Sequence, residues 1–144
     1  MRVVTSRFGE LEVEESDIIT FPRGILGFES IKRYILLGDG EPFGFLQSLD
    51  EPDLTFVVID PRVLVHDYRV DVPRVEAEEI GIRGQEETAI LAIVTIPEDP
   101  DKLTANLQAP LLINCANRQA KQLVLGEGDY NIRHPILATV DRSA

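Results

Sequence analysis

The stretch from Ile19 to Glu29 constrains the fold of this chain more than any other part. A short apolar run leads into Pro22, whose fixed φ and missing N–H donor end a β-strand just before it. Gly24 and Gly27 suit positive φ or a close backbone approach. The large apolar side chains that follow the turn are Ile25, Leu26 and Phe28. The pattern predicts a corner that folds over the end of a β-core, with presentation of a surface to a partner as the alternative.

The rest of the chain alternates short apolar runs with clusters of turn residues, which is typical of all-β folds. The longest run, 87–96, is apolar on both faces, as expected of a central strand covered on both sides. Shorter strands are predicted at 11–13, 18–21, 34–37, 43–48, 54–59, 68–72 and 122–125. One short surface helix is predicted between Pro73, which suits a first helical position, and Gly81, which suits a C-terminal cap. We therefore expect an all-β, minor-α fold: a small antiparallel β-barrel-like domain, or a sandwich, with one short surface helix.

Composition narrows the class of protein further. A length of 144 residues predicts one domain spanning 1–144. The formal charge of −11 repels phosphate backbones and anionic membranes and attracts basic partners, although it also simply favours solubility. The single cysteine, Cys115, excludes an intrachain disulfide. With neither a signal-like N-terminus nor a membrane-length apolar run, the chain is expected to be cytoplasmic, without membrane contact.

Residues for catalysis are sparse, so no enzymatic activity, cofactor or metal is predicted. His66 and His134 are the only histidines, and neither has the spacing of a ligand pair or an assignable catalytic partner. Adjacent acids such as Glu78 and Glu79 would point to opposite faces of a strand. A nucleic-acid-binding β-barrel module remains the all-β alternative, but its basic groove is not evident, since Arg118 and Lys121 are the nearest approach to a basic cluster. Direct nucleic-acid binding is not expected.

Four motifs, in order, resemble the flagellar assembly factor FliW family. They are Phe21-Pro22-Arg23-Gly24-Ile25-Leu26-Gly27-Phe28-Glu29, Phe45-Leu46-Gln47-Ser48-Leu49, the segment Asn106–Asn114, and Tyr130 with Arg133-His134-Pro135-Ile136. The resemblance spans nearly the whole chain. One departure is Leu26, where the family usually has proline.

This resemblance implies a noncatalytic β-barrel-like protein that binds flagellin and the RNA-binding translational regulator CsrA. Flagellin would occupy the protein until it is exported, after which the free protein would antagonise CsrA and relieve repression of flagellin synthesis. Whether the two partners share one surface is left open. The residues predicted to contact partners are Phe28, Glu29, Leu46, Gln47, Asn106, Leu107, Gln108, Ala109, Pro110 and Asn114. For each of them, building a turn or filling the core is the competing interpretation.

Overall fold

The computed structural model describes residues 1–38, 41–83, 88–126 and 130–136. Strands dominate these residues, with one α-helix, α1 (Arg74–Glu79), which confirms the predicted fold class. The strands are β1 (Arg2–Thr5), β2 (Gly9–Glu12), β3 (Ile19–Thr20), β4 (Arg33–Leu37), β5 (Phe43–Ser48), β6 (Thr55–Ile59), β7 (Thr88–Thr95), β8 (Thr104–Ala105), β9 (Leu111–Asn114), β10 (Ala120–Gln122) and β11 (His134–Pro135).

The main sheet follows the order β10-β9-β7-β6-β5-β4-β3, with β8 added to β7 and β11 added to β8. Every one of these pairings is antiparallel, and β1 and β2 form a separate hairpin. The two ends of the strand order meet at one isolated parallel bridge between Thr20 and Gln119. The N–H of Thr20 also donates to the carbonyl of Arg118 over 2.9 Å. The sheet is therefore barrel-like but is not closed by a continuous ladder.

Strand β7 lies at the centre of the sheet and is covered on both faces, as its uninterrupted apolar sequence predicted. It pairs with β6 along one edge and with β9 and β8 along the other. Ala89, Leu91 and Ile93 pack against one core cluster, while Ala92 and Val94 belong to another. Alternate residues of one strand thus contribute to two separate hydrophobic clusters.

Helix α1 lies on the surface and follows Pro73 directly, as predicted. No residue inside the helix is buried, but Ile80, which follows it, is 2% exposed and packs with Leu112 and Leu123. Gly81 has a φ of +77° and supplies the left-handed residue that ends the helix. Within the described parts of the chain, no helix is long and apolar enough to cross a membrane.

The strand predicted at 68–72 is wrong. Tyr68 and the following residues form no β-pairing, although Tyr68 is buried and Val70 and Val72 pack against apolar clusters. The alternation of apolar and polar residues there reflects burial of every second side chain in an irregular segment. The strand predicted to run to residue 125 ends at Gln122. Beyond Gln122, the N–H of Leu123 still donates to the carbonyl of Pro110 in the adjacent segment. Pro110 has no N–H to donate in return, so the paired hydrogen bonds of a β-ladder do not continue.

Two buried tyrosines allow a matched test of hydroxyl pairing in the core. The Tyr34 side chain is 0% exposed, and its hydroxyl has no hydrogen-bond partner among the described residues. Burial raises the pKa of Tyr34 to about 12. The Tyr68 hydroxyl instead donates to the buried carbonyl of Leu107 over 2.7 Å.

We expect Tyr34→Phe to leave the free energy of unfolding unchanged or to raise it by about 1 kcal/mol, because it removes an unpaired buried group. Tyr68→Phe should lower it by about 1–2 kcal/mol, because it leaves the Leu107 carbonyl unpaired. Urea denaturation followed by far-ultraviolet circular dichroism measures both. An equal loss of stability in the two variants would contradict the conclusion that the Tyr34 hydroxyl is unpaired and the Tyr68 hydroxyl is paired.

Candidate partner-binding site

The corner that follows β3 is a double turn, buried on its inner side and exposed on its outer side. The N–H of Gly24 donates to the carbonyl of Phe21 over 2.8 Å, and that of Phe28 donates to Ile25 over 2.7 Å. Phe21 and Ile25 are at most 1% exposed and belong to the main core, whereas Leu26 is 62% exposed. The corner therefore covers the core, as predicted, and also presents apolar surface.

Phe28 and Glu29 form the outer end of this corner. The Phe28 ring is partly exposed and packs edge-on against Phe56, with 5.3 Å between ring centroids. The carboxylate of Glu29 accepts the N–H of Gly27 over 3.0 Å. This backbone hydrogen bond, with a second from Glu29 itself, lowers the pKa of the carboxyl below its ordinary value of 4.5. The corner thus offers an aromatic ring beside a fixed negative charge at neutral pH.

The side chain of Gln122, in β10, joins the corner to the segment 106–110. Its Oε1 atom accepts the N–H of Leu26 over 2.9 Å, and its Nε2 atom donates to the carbonyl of Ala109 over 3.0 Å. Asn106 shapes the same segment, because its Oδ1 atom accepts the N–H groups of Gln108 and Ala109. The amide of Gln122 therefore holds the corner and the segment 106–110 together, although the two are distant in sequence.

A groove with a volume of about 600 Å³ adjoins this junction. We call it the corner groove and define it by Leu26, Phe56, Ile93, Asn106 and Gln122, which all line it. Apolar side chains with a few amide groups are typical of surfaces that bind other molecules. The described residues of this lining include no carboxylate, imidazole or thiol. This lining is suited to binding another molecule.

A compact ionic cluster ties helix α1 to β10 and to the corner. The ammonium of Lys121, whose side chain is only 7% exposed, lies 2.5 Å from Glu79 and 3.3 Å from Glu76. Arg23 of the corner contacts the other oxygen of Glu79 at 2.6 Å. Lys121 is therefore neutralised by carboxylates and cannot form a basic cluster with Arg118, the pairing considered from the sequence.

The hydrogen bond from Lys121 is the main cause that lowers the pKa of Glu79 below its ordinary value of 4.5. A carboxyl whose pKa is lowered by folding stabilises the folded state at pH values above its unfolded pKa. That contribution is lost as the pH falls through the lower, folded value.

Among the described residues, no three histidine, cysteine or acidic side chains converge as a metal site would require.

Comparisons with known proteins identify the family to which this chain belongs. The family model described as "FliW protein" matches residues 2–136. The chain belongs to the FliW family. The protein named flagellar assembly factor FliW in Geobacter sulfurreducens is 43% identical over 145 residues, covering 99% of this chain and 91% of that relative. The one in Natranaerobius thermophilus is 42% identical over 139 residues, covering 94% of this chain and 92% of the relative.

A crystal structure described as that of the flagellar assembly factor FliW has the same fold. It matches with a TM-score of 0.86 and 36% sequence identity, covering 94% of this chain and 96% of the other. The resemblance noted from the four motifs is therefore confirmed at the level of the FliW family and its fold.

The residues predicted to contact partners fall into two groups in this FliW family member. Phe28 and Glu29 are exposed at the corner, and Asn106 and Gln108 are half-buried. The buried residues are Leu46, Gln47, Leu107, Ala109, Pro110 and Asn114. The corner groove brings the corner and the Asn106 segment together, and Leu46 lies opposite Phe56 in the β5–β6 register.

Gln47 and Asn114 have hydrogen-bonding roles inside the FliW fold. The Nε2 atom of Gln47 donates to the carbonyls of Ser48 and Pro52, and neither Gln47 nor Asn114 lines the corner groove. Asn114 donates to the carbonyl of Ile80, next to the end of α1. Contact of these side chains with a partner stays a prediction, and their burial favours the structural interpretation.

Sequence reasoning missed Gln122 and Phe56, which complete the site. Gln122 lies 96 residues from Leu26, and only the sheet pairing brings the two together. An amide inside a predicted strand indicates a polar group in need of partners, but it does not identify them. Phe56 lay within a correctly predicted strand, yet its contact with Phe28 has no local signature.

Proposed function

We propose that this chain is a flagellar assembly factor that works by binding proteins and has no catalytic activity. Residues 1–144 would form a single FliW-like domain that acts in the cytoplasm. Its proposed partners are flagellin and CsrA. The observation that carries this proposal is the match of residues 2–136 to the FliW family, together with relatives named flagellar assembly factor FliW over nearly the full chain.

The proposed activity couples flagellin synthesis to flagellin export. Cytosolic flagellin occupies this protein and leaves CsrA free to repress translation of flagellin. After export, the free protein binds CsrA and relieves the repression. The two partners therefore bind in alternation, and binding to CsrA must favour a state of CsrA that holds RNA less tightly.

Surface charge supports association with a basic RNA-binding protein. The net charge is −11, and six of the bases, Arg2, Arg23, Arg33, Arg62, Arg74 and Lys121, already lie within 4.0 Å of a carboxylate. An acidic field of this kind accelerates encounter with a cationic partner and is screened by salt. The partly exposed Phe28 and the fixed charge of Glu29 supply apolar and anionic contact groups.

The test is a competition in which this protein is titrated into a complex of CsrA with fluorescently labelled flagellin leader RNA. We expect RNA to be released, which fluorescence anisotropy measures, and release should weaken as salt is raised. Added flagellin should restore RNA binding. The protein alone should not change the anisotropy of the RNA at low salt. Full retention of RNA by CsrA at a large excess of this protein would overturn the proposal.

Paired variants test the predicted contact surface within the same assay. Phe28→Ala removes a partly exposed ring at the corner, while Val75→Ala removes an apolar side chain that is 70% exposed on α1. We expect Phe28→Ala to weaken release by about tenfold, as for a central aromatic contact, and Val75→Ala to leave it unchanged. Circular dichroism confirms that both variants are folded. Equal behaviour of the two would remove the corner from the contact surface.

A further inference from the structure

The charged side chains that line the corner groove are opposite in sign to the net charge of the chain. Lys102 and Arg133 are the only ionisable side chains among the described residues that line it. Neither has a carboxylate within 4.0 Å in the described parts of the chain. In a chain with 25 acids and 14 bases, two cations that have no ion-pair partner among the described residues and line one groove indicate a place for an anionic group.

The same groove exposes apolar side chains that the fold holds in place. Leu26 is 62% exposed and Ile132 is 58% exposed, and both line the groove. The backbone of Leu26 is held by the hydrogen bond that its N–H donates to Gln122. Exposed apolar side chains grouped beside polar ones are typical of interaction sites.

Asn106 adds hydrogen-bonding capacity to this groove. Its Oδ1 atom is used within the chain, accepting from Gln108 and Ala109. Its Nδ2 group has no hydrogen-bond partner among the described residues, so two N–H donors of a groove-lining residue are available to a ligand. A peptide backbone carbonyl is a suitable acceptor for such a donor.

We propose that the corner groove binds a short segment of another protein that combines apolar side chains with an aspartate or glutamate. The apolar side chains pack between Leu26 and Ile132, and the carboxylate pairs with Lys102 and Arg133. This goes beyond the proposed function, because the two cations repel a basic partner from the groove. A partner such as CsrA would be attracted to the acidic faces of the molecule, and the groove would serve a second, acidic ligand.

The test is selection of a random dodecapeptide phage library against the full chain, followed by fluorescence anisotropy on the most enriched peptides. We expect enriched sequences to combine apolar residues with aspartate or glutamate. Raising the salt concentration should weaken their binding. Enrichment of basic peptides, or no enrichment at all, would overturn the proposal.

Charge-reversal variants identify the groove as the binding site. The double variant Lys102→Glu/Arg133→Glu should weaken binding of an acidic peptide by at least about tenfold, since attraction becomes repulsion. Arg69→Glu is the matched control, because Arg69 is also exposed and lacks an ion-pair partner among the described residues but does not line the groove. This control variant should leave the dissociation constant of the peptide within about twofold of its original value. A selection repeated on the double variant should enrich lysine- or arginine-containing peptides.

Other occupants of the groove give different results. A dimer in sedimentation that Leu26→Asp abolishes would place a second copy of the chain in the groove and overturn the proposal. Peptide binding that requires deletion of residues 137–144 would make the chain's own segment the occupant, with the same consequence. Failure of the peptide assay while RNA release from CsrA persists would reject the groove ligand and leave the proposed function standing.

Discussion

Replacing Gly24 by alanine should lower the free energy of unfolding by about 3–5 kcal/mol, the largest single-residue effect expected at the surface corner. Gly24 has a φ of +69°, where a side chain is strained. A Cβ atom there would also lie 2.5 Å from the Cα atom of Glu29 and 2.6 Å from its carbonyl oxygen. Both are backbone atoms, so no side-chain rotation relieves the clash.

Gly9 separates the two causes of this loss. It has the same φ of +69°, but a Cβ atom there would meet nothing within 4 Å. Gly9→Ala should therefore cost only the conformational strain, about 1–2 kcal/mol. Urea denaturation of both variants, monitored by circular dichroism, measures the difference. If Gly24→Ala is no less stable than Gly9→Ala, the close approach of Gly24 to Glu29 does not exist in solution.

The second large effect is expected at Asn114, a residue predicted from the sequence to contact a partner. Its side chain is 1% exposed. It donates to the carbonyl of Ile80 over 2.9 Å and accepts the N–H of Ala116 over 3.0 Å. Asn114→Ala should lower the free energy of unfolding by about 2–3 kcal/mol, because it removes both bonds inside a buried site.

Asn117 is a close match for this variant. It donates to the same Ile80 carbonyl over 3.0 Å and accepts the N–H of Gln119 over 2.9 Å, but its side chain is exposed to water. Asn117→Ala should cost about 0.5–1 kcal/mol, since water replaces the lost bonds. The RNA-release assay then discriminates between the two roles of Asn114. A folded Asn114→Ala protein that no longer releases RNA would make Asn114 a contact residue and contradict the structural interpretation.

The fold was predictable where a local signal sufficed. Proline and glycine spacing located the corner at Gly24, and the Pro73–Gly81 interval located α1. The unbroken apolar run placed β7 at the centre of the sheet. The strand predicted around Tyr68 was wrong because alternation records which side chains are buried, and an irregular segment can bury every second one as a strand does.

The site was only half predictable for a related reason. The corner carries its own sequence signal, and so does the Asn106 segment. Their junction does not, because it depends on Gln122 reaching from β10 to Leu26 on one side and Ala109 on the other. Likewise, the two cations of the corner groove, Lys102 and Arg133, are ordinary surface residues in the sequence. Only the three-dimensional arrangement places them beside the same apolar surface.

The single backbone bridge between Thr20 and Gln119 gives the barrel a seam. Here β3 meets the residues just before β10 at one backbone bridge among the described residues, and the Gln122 side chain of β10 bonds the corner at Leu26, whereas β5 pairs with both of its neighbours over at least four residues. Local opening of the molecule is therefore easiest along this line. Leu26 and Gln122 lie on opposite sides of this seam and both line the corner groove, so a ligand that contacts both of them would oppose its opening.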